Sequence, residues 1–308
     1  MAEALAKPLS ARTRYCGVLG HPIHHSASPA MQNAGLGALG LDWRYLAFDV
    51  PPAELGVALA GAKAMRFLGL NLTVPHKLLA FDLVDARDPS AETWGAVNTI
   101  RFEVQAADGA WRPLREFDVP PAGPIRAHGF NTDAEALAQA LREDLGLPLA
   151  GQSVLLLGAG GAGRTAALKL ASEGVARLWL LNRTTDKAAA VAREIEQRHP
   201  TVSVRLGRPE ADVDLVLNAT SLGLKPEDPL PLAPAVLDLR RATAVYDMIY
   251  RPAETPLLRA ARAAGCRTAN GLGMLLYQGA KALEIWSGQP APVVAMRAAL
   301  EANVYGAP

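Results

Sequence analysis

The stretch that most constrains how this chain folds is a glycine-rich turn between an apolar run and a helical pattern. The run Ser153–Leu157 is typical of a strand that is buried on both faces of a parallel sheet. Gly158, Gly160 and Gly163 follow with the spacing G-x-G-x-x-G, and residues 165–173 have helical composition. Glycines here let backbone N–H groups approach a pyrophosphate at the beginning of a helix. The pattern predicts a dinucleotide site; a turn used only for tight packing is the alternative.

The residues after the next apolar run bear on which dinucleotide binds. An acidic side chain there would bind the ribose 2′-hydroxyl of NAD and repel a 2′-phosphate. Asn182 stands there instead, followed by Arg183, Thr184 and Lys187. An arginine fork and a hydroxyl suit a phosphate group, so NADP is favoured. Alternatively, the two basic residues only face solvent at the beginning of a helix. Because Asp186 is nearby, NAD remains an alternative cofactor.

Length and charge restrict the class of protein. A chain of 308 residues is long for one core, so two domains are expected. Half of the residues are hydrophobic and the net charge is +1, which gives no reason to expect nucleic acid or an anionic membrane as a partner. We find no apolar segment long enough for a signal peptide or a membrane span, and we interpret the first dozen residues as a frayed tail.

The two cysteines, Cys16 and Cys266, are far apart in the sequence. They form neither a disulfide framework nor a C-x-x-C zinc motif. A reducing, cytoplasmic location is therefore expected.

Apolar runs alternate with helical patterns along most of the chain, which predicts an α/β fold with a doubly wound parallel sheet. Two helices are expected after the last strand. Residues 103–128 contain DG and PPAGP and few periodic apolar residues, so a hairpin-like excursion or a loop is predicted. The main predicted strands are 41–50, 96–102, 202–206, 214–218 and 244–248, and the main predicted helices are 53–65 and 188–197.

Polar residues are concentrated in the loop HPIHHSAS. Its three histidines have no cysteine or carboxylate beside them in the sequence, so we predict no metal site. Ser28 precedes a proline and fits the N-cap of a helix, whereas Ser26 has no such local role and is the better candidate for a ligand contact.

Polar residues of two further segments stand at predicted helix starts. Lys77 opposes the helix macrodipole, which indicates either a functional cation or a surface lysine. In the segment GFNTD, either Thr132 or Asp133 fits an ordinary N-cap.

Taken together, these segments resemble the shikimate dehydrogenase family over nearly the whole chain. The matching motifs, in the family's order, are GHPIHHSASP, NLTVPHK, GAVNTI, GFNTD, GAGGAGRT, NRTTDKA, NATSLG, YDMIYRPAETPLL and GLGMLLYQGA. The resemblance implies a metal-free, NADP-linked interconversion of shikimate and 3-dehydroshikimate in aromatic amino acid biosynthesis. It also implies a substrate-binding α/β domain at 1–132, a Rossmann NADP-binding domain at 133–272, and C-terminal helices at 273–308 that complete the first domain.

The resemblance assigns site residues position by position. Lys77 and Asp133 resemble the catalytic pair, and charge alone leaves open which of them takes the proton. The implied substrate-binding residues are Ser26, Ser28, Thr73, Asn98, Tyr250 and Gln278. The implied cofactor-binding residues are Gly158, Gly160, Gly161, Gly163, Asn182, Arg183, Thr184, Lys187, Thr220, Met248, Gly271 and Met274. Of these, the resemblance places Gly271 and Met274 near the nicotinamide.

Three departures from the family pattern leave room for altered substrate choice. Ala134 and Glu135 follow NTD where a glycine is usual, Gln32 replaces a common histidine, and the segment 103–128 is longer than usual. None of them removes a catalytic residue.

The alternatives are a quinate/shikimate dehydrogenase that uses NAD, a related paralogue, and a non-catalytic NADPH-binding protein. Tyr277 and Lys281 also make the Y-x-x-x-K spacing of tyrosine-dependent reductases, which we interpret as accidental. A monomer or a homodimer is expected.

Overall fold

The computed structural model describes residues 8–119, 121–225 and 227–306. Seven residues of the predicted N-terminal tail, and the last two residues of the predicted C-terminal segment, lie outside the described residues. The chain forms two compact units, and we number them in chain order. Unit 1 contains the chain up to Thr132 together with the C-terminal part from Gln278, and unit 2 spans Asp133–Tyr277.

Helices and strands alternate in both units, which confirms the predicted α/β fold class. The elements of unit 1 before unit 2 begins are β1 (Arg14–Gly20), α1 (Ser28–Ala38), β2 (Trp43–Asp49), α2 (Leu55–Ala64), β3 (Gly69–Leu72), α3 (His76–Leu83), β4 (Ala86–Arg87), α4 (Pro89–Trp94), β5 (Thr99–Gln105), β6 (Trp111–Pro113) and β7 (Ile125–Phe130). Those that follow are α5 (Asp133–Leu145), β8 (Ser153–Leu157), α6 (Gly161–Ser172), β9 (Arg177–Leu181), α7 (Thr185–Arg198), β10 (Ser203–Leu206), β11 (Val213–Asn218), β12 (Ala242–Asp247), α8 (Pro256–Ala263), β13 (Arg267–Asn270), α9 (Leu272–Ser287) and α10 (Val293–Tyr305).

Unit 2 is built on a parallel sheet of six strands. Their order is β10-β9-β8-β11-β12-β13, so the sheet grows outward in both directions from β8. This is the doubly wound order in which ligands bind at the carboxyl ends of the strands, at the point between β8 and β11 where the strand order reverses. Leu155 and Leu157 pack on one face with α8, and the intervening Leu156 is equally buried. Burial on both faces explains why β8 is an unbroken apolar run.

Unit 1 contains a mixed sheet in the order β2-β1-β3-β5-β7-β4, with β6 paired to β5. The strands β1, β2 and β3 are parallel, whereas β5 is antiparallel to β3, β6 and β7. Trp286 of α9 is buried in the core of unit 1, and its indole N–H donates to the C=O of Ile100 at 2.9 Å. Gly69 allows this, because a Cβ there would lie 2.1 Å from the indole nitrogen. The C-terminal helices therefore complete unit 1.

Helix α9 contributes to both units, and the division falls after Tyr277, five residues later than the predicted boundary at 272. Its first turn belongs to unit 2 because Gly273 lies against the carboxylate of Asp144 and Tyr277 donates to Glu143. The later turns pack on α1, where Gly279 contacts Met31.

The prediction for residues 103–128 is right in part. Its hairpin alternative is right, because β5 continues to Gln105 and pairs with β6, but β7 was not predicted. Arg14 anchors this excursion by donating to the C=O groups of Leu114 and Phe117, both at 3.0 Å. The strand predicted at 96–102 begins only at Thr99. The short strands β4 and β13 and the helix α4 are also absent from the predicted elements.

Candidate active site

The glycine turn of unit 2 has the geometry that a pyrophosphate requires. Gly158 has φ +104°, a conformation that side chains with a Cβ disfavour. A Cβ on Gly163 would lie 2.2 Å from the C=O of Gly158, so this glycine closes the turn onto α6. A Cβ on Gly160 or Gly161 would meet nothing within 4 Å. These two positions leave an open, exposed surface at the beginning of α6, where a helix presents unpaired N–H groups to an anion.

The residues predicted for the adenosine end follow β9. Asn182 turns its side chain back to the glycine turn, whereas Arg183, Thr184 and Lys187 are exposed. Thr184 is the N-cap residue of α7, yet its side chain does not cap the helix. A guanidinium, an ammonium and a hydroxyl thus lie together at the first turn of α7, and this donor set fits a 2′-phosphate.

Three of the residues predicted to bind the cofactor come from three loops at the same edge of the sheet in unit 2. Thr220 follows β11, Met248 follows β12 and Gly271 follows β13. Gly271 must be a glycine, because a Cβ there would lie 2.0 Å from the C=O of Met248. Met274 lies in the first turn of α9 and is half-buried.

In unit 1, a chain of buried polar side chains joins the three strands β2, β3 and β5. The hydroxyl of Tyr45 donates to Asn71 Oδ1 at 2.7 Å, and Asn71 Nδ2 donates to Thr99 Oγ1 at 3.0 Å. Asn98 then donates to Thr132 Oγ1 at 2.9 Å and accepts the backbone N–H of Thr132 at 2.8 Å. Each of these five residues is at most 5% exposed. The predicted substrate residue Asn98 therefore holds the turn that precedes Asp133.

Lys77 lies in the first turn of α3, as predicted, and is half-buried. Its C=O accepts a hydrogen bond from the N–H of Val97 at 2.9 Å, which places its backbone beside the Asn98 segment. The neighbouring His76 is fully buried, and its Nε2 donates to the C=O of Val50 at 2.9 Å. Burial lowers the pKa of His76, so the imidazole beside Lys77 is neutral and serves as an anchor.

The predicted N-cap role of Ser28 is wrong. The N-cap of α1 is Ala27, Ser28 is the first helical residue, and no side chain caps the helix. Ser26 has a local contact that the sequence did not suggest, because its Oγ accepts the N–H of Ser28 at 3.4 Å. Both serines thus lie at the N-terminus of α1, and Thr73 follows β3 in the same unit.

The other two predicted substrate residues belong to different units. Tyr250 follows β12 in unit 2, and burial raises the pKa of its phenol, which therefore stays protonated as a hydrogen-bond donor. Gln278 lies in α9 in unit 1, where its C=O accepts the Thr132 hydroxyl at 3.1 Å. Gln32 donates to the next carbonyl, that of Gly279, at 2.9 Å. Gln32, which stands where a histidine is common in the family, thus supports the backbone beside Gln278.

The Y-x-x-x-K spacing loses its structural basis. Tyr277 is buried and donates to Glu143, whereas Lys281 is exposed and pairs with Glu284 at 3.3 Å, so the Y-x-x-x-K spacing forms no joint site. The histidine loop does have a carboxylate nearby, since His21 bonds to Asp49 at 2.7 Å, which the sequence did not show. Within residues 8–119, 121–225 and 227–306, no group of three or more His, Cys, Asp and Glu side chains could hold a metal ion.

The two residues that follow NTD where the family usually has a glycine, Ala134 and Glu135, both lie in unit 2. Ala134 is fully buried, and Glu135 extends from α5 to Lys169 of α6, with 2.5 Å between carboxylate and ammonium. Asp133 itself is the first residue of α5 and is 8% exposed. None of the described helices is long and apolar enough to cross a membrane.

The sheet order, the glycine turn and the basic residues after β9 define a protein of the nicotinamide-dinucleotide-binding class. Family models agree: residues 18–100 match the shikimate dehydrogenase substrate binding domain, residues 137–223 match shikimate / quinate 5-dehydrogenase, and residues 271–301 match the shikimate 5′-dehydrogenase C-terminal domain.

Relatives extend this match over the whole chain. A shikimate dehydrogenase (NADP+) of Methanopyrus kandleri is 40% identical and covers 95% of this chain and 96% of the relative. A shikimate dehydrogenase solved with NADP+ has a TM-score of 0.82 and 34% identity, covering 97% of this chain and 99% of that one. The Thermus thermophilus enzyme, solved with NADP(H) and shikimate, has a TM-score of 0.77 and 35% identity, covering 94% and 99%. The chain belongs to the shikimate dehydrogenase family.

Proposed function

We propose that this chain is an NADP-dependent shikimate dehydrogenase, which interconverts shikimate and 3-dehydroshikimate in aromatic amino acid biosynthesis. The observation that carries the proposal is that two consecutive residues of unit 1, Val97 and Asn98, are hydrogen-bonded to Lys77 and to Thr132, the residue before Asp133. The N–H of Val97 donates to the C=O of Lys77 at 2.9 Å. Asn98 Oδ1 accepts the N–H of Thr132, which directly precedes Asp133, at 2.8 Å. Relatives with NADP+ in their names support the choice of cofactor.

Oxidation of an alcohol requires loss of the hydroxyl proton and of a hydride from the same carbon. Bound NADP+ supplies the hydride acceptor. Lys77 and Asp133 form the pair that takes the proton and stabilises the negative charge that develops on the oxygen. The neutral His76 adds no second positive charge beside Lys77.

The remaining assigned residues bind and orient the two ligands. Shikimate is a polyhydroxylated acid, so hydroxyl and amide side chains suit it. This role falls to Ser26, Ser28, Thr73, Asn98, Tyr250 and Gln278. The glycine turn binds the pyrophosphate, and Arg183, Thr184 and Lys187 bind the 2′-phosphate. Unit 1 is accordingly the substrate-binding domain and unit 2 the NADP-binding domain.

The proposal includes a small-molecule substrate and a cytoplasmic protein that acts as a monomer or a homodimer. Two buried, free thiols, Cys16 and Cys266, are compatible with a reducing compartment. Burial raises the pKa of Cys16 to about 12, so this thiol is unreactive.

Product identification tests the function. Purified protein incubated with shikimate and NADP+ is expected to form 3-dehydroshikimate and NADPH in equal amounts, as followed by NMR. An unchanged shikimate spectrum, with NADP+ binding intact, would refute the proposal.

A further inference from the structure

We propose that Asp247, the last residue of β12, is a positioning residue that holds the nicotinamide end of the cofactor site through a buried network with Asn218 and Thr255. The inference rests on the proposed function, because it assigns a role within the same site. Asp247 is not among the residues assigned from the sequence.

The carboxylate of Asp247 is fully buried and accepts three hydrogen bonds from neutral donors. Its Oδ1 accepts Asn218 Nδ2 at 3.0 Å and the N–H of Ile249 at 3.1 Å, and its Oδ2 accepts the hydroxyl of Thr255 at 2.7 Å. Burial raises the pKa of Asp247, and the same three hydrogen bonds oppose this shift. Burying a carboxylate among neutral donors is costly, so stability alone does not account for it.

Through Asn218, the network fixes the turn after β11. Asn218 Oδ1 accepts both the N–H of Thr220 at 3.0 Å and its hydroxyl at 2.7 Å. Asn218 Nδ2 also donates to the C=O of Leu222 at 3.2 Å. The side chain of Thr220, which is assigned to the cofactor, is therefore oriented by a residue that bonds directly to Asp247.

Through Thr255, the network fixes the loop after β12. Thr255 is the N-cap of α8 and accepts the N–H of Leu258 at 3.3 Å, so its hydroxyl connects Asp247 to the helix. The loop that carries Met248 and Tyr250 is thereby held at both ends.

The third loop is attached to the same backbone. The N–H of Gly271 donates to the C=O of Ile249 at 3.2 Å, and the N–H of Met248 donates to the C=O of Asn218 at 3.0 Å. Thr220, Met248 and Gly271, which come from three different loops, thus depend on one carboxylate for their arrangement.

Two variants break the hydrogen bond between Thr255 and Asp247, one at the acceptor and one at the donor. Asp247→Asn places an amide where the Thr255 hydroxyl donates, and Thr255→Val removes that hydroxyl. Each is expected to lower kcat/KM for NADP+ about tenfold or more, and to weaken NADPH binding by a similar factor. Binding of adenosine 2′,5′-bisphosphate, which lacks the nicotinamide, should change by less than about twofold. Thr255→Ser keeps the hydroxyl and should recover most of the activity.

Asp214→Asn is the matched control. Asp214 lies at the opposite end of the same sheet, where its carboxylate accepts the N–H of Ser153 at 2.8 Å, and its replacement should leave all of these values unchanged. The inference is overturned if Asp247→Asn and Thr255→Val leave NADPH affinity and kcat/KM unchanged, or if the fragment loses as much affinity as NADPH. If Asp247→Asn does not fold, the comparison of Thr255→Val with Thr255→Ser decides. Because the binding measurements need no shikimate, they test the network even if the wild-type protein does not oxidise shikimate.

Discussion

The side chain of Asn182 joins the end of β9 to the glycine turn, because its Oδ1 accepts the backbone N–H of Ala159 at 3.0 Å. Its Nδ2 donates to the C=O of Thr184 at 2.8 Å. One amide therefore aligns the pyrophosphate turn with the residues assigned to the 2′-phosphate. This arrangement uses both ends of the amide, so an acid cannot replace it without loss.

The replacement Asn182→Asp tests this arrangement. The new carboxylate can still accept from Ala159, but its second oxygen faces the C=O of Thr184 and its charge repels a 2′-phosphate. We expect kcat/KM to fall about tenfold or more for NADP+ and much less for NAD+. Steady-state kinetics with both cofactors check this. Equal losses would show that Asn182 acts only through the fold.

Arg183 is expected to distinguish the two cofactors most strongly. Arg183→Ala removes a guanidinium that suits the 2′-phosphate, so the KM for NADP+ should rise about tenfold or more, while that for NAD+ should stay within about twofold. Arg177→Ala is the control, because Arg177 is exposed at the other end of β9. A parallel rise for NAD+ would contradict the assignment.

Lys77→Ala is expected to lower kcat by about a thousandfold, as loss of a proton-transfer or charge-stabilising group does, without changing NADPH affinity. Lys281→Ala is the matched control. Its side chain is exposed and pairs with Glu284, so the variant should keep wild-type kcat. The reverse result, an active Lys77 variant and an inactive Lys281 variant, would revive the tyrosine-dependent mechanism.

Glu103 makes the stability of unit 1 depend on pH. Burial alone would raise its pKa, but hydrogen bonds from His128, Arg101 and Arg126 outweigh burial and lower the pKa from 4.5 to about 2. The folded state thus holds this proton less tightly than the unfolded state. The resulting stabilisation, on the order of 3 kcal/mol, is present above pH 4.5 and is lost as the pH falls towards 2.

Urea unfolding at several pH values checks this contribution. Glu103→Gln should destabilise the protein most at neutral pH, and its difference from wild type should shrink between about pH 4.5 and pH 3. Glu301→Gln, at an exposed position of α10, should follow the wild-type curve. A difference that does not vary with pH would show that packing, and not charge, explains the effect of Glu103.

The local parts of this structure were predictable because their determinants are neighbours in the chain. β8, the glycine turn and α6 follow from one short stretch, and so do the basic residues after β9. By contrast, β13 is four residues long and its residues are only partly buried or exposed, so it has no apolar pattern to reveal it.

The buried polar networks depend on tertiary contacts. Asn71 and Asp247 each lie at or next to the end of an apolar strand, which is a usable signal for a site residue. Their partners, however, come from distant positions: Asn71 bonds to Tyr45 and Asp247 bonds to Asn218. For Ser28 the local sequence was misleading. A serine before a proline predicts an N-cap, but Ser28 is the first residue of α1 and Ala27 is its N-cap.

The most direct test of the central claim is the initial rate of nicotinamide reduction with shikimate or quinate, each paired with NADP+ or NAD+. Unit 2 has basic residues and no carboxylate directly after β9, and the chain belongs to the shikimate dehydrogenase family. We therefore expect the highest kcat/KM for shikimate with NADP+, by about tenfold or more over each other pair. A highest value for quinate with NAD+, or no reduction with any pair, would contradict the account.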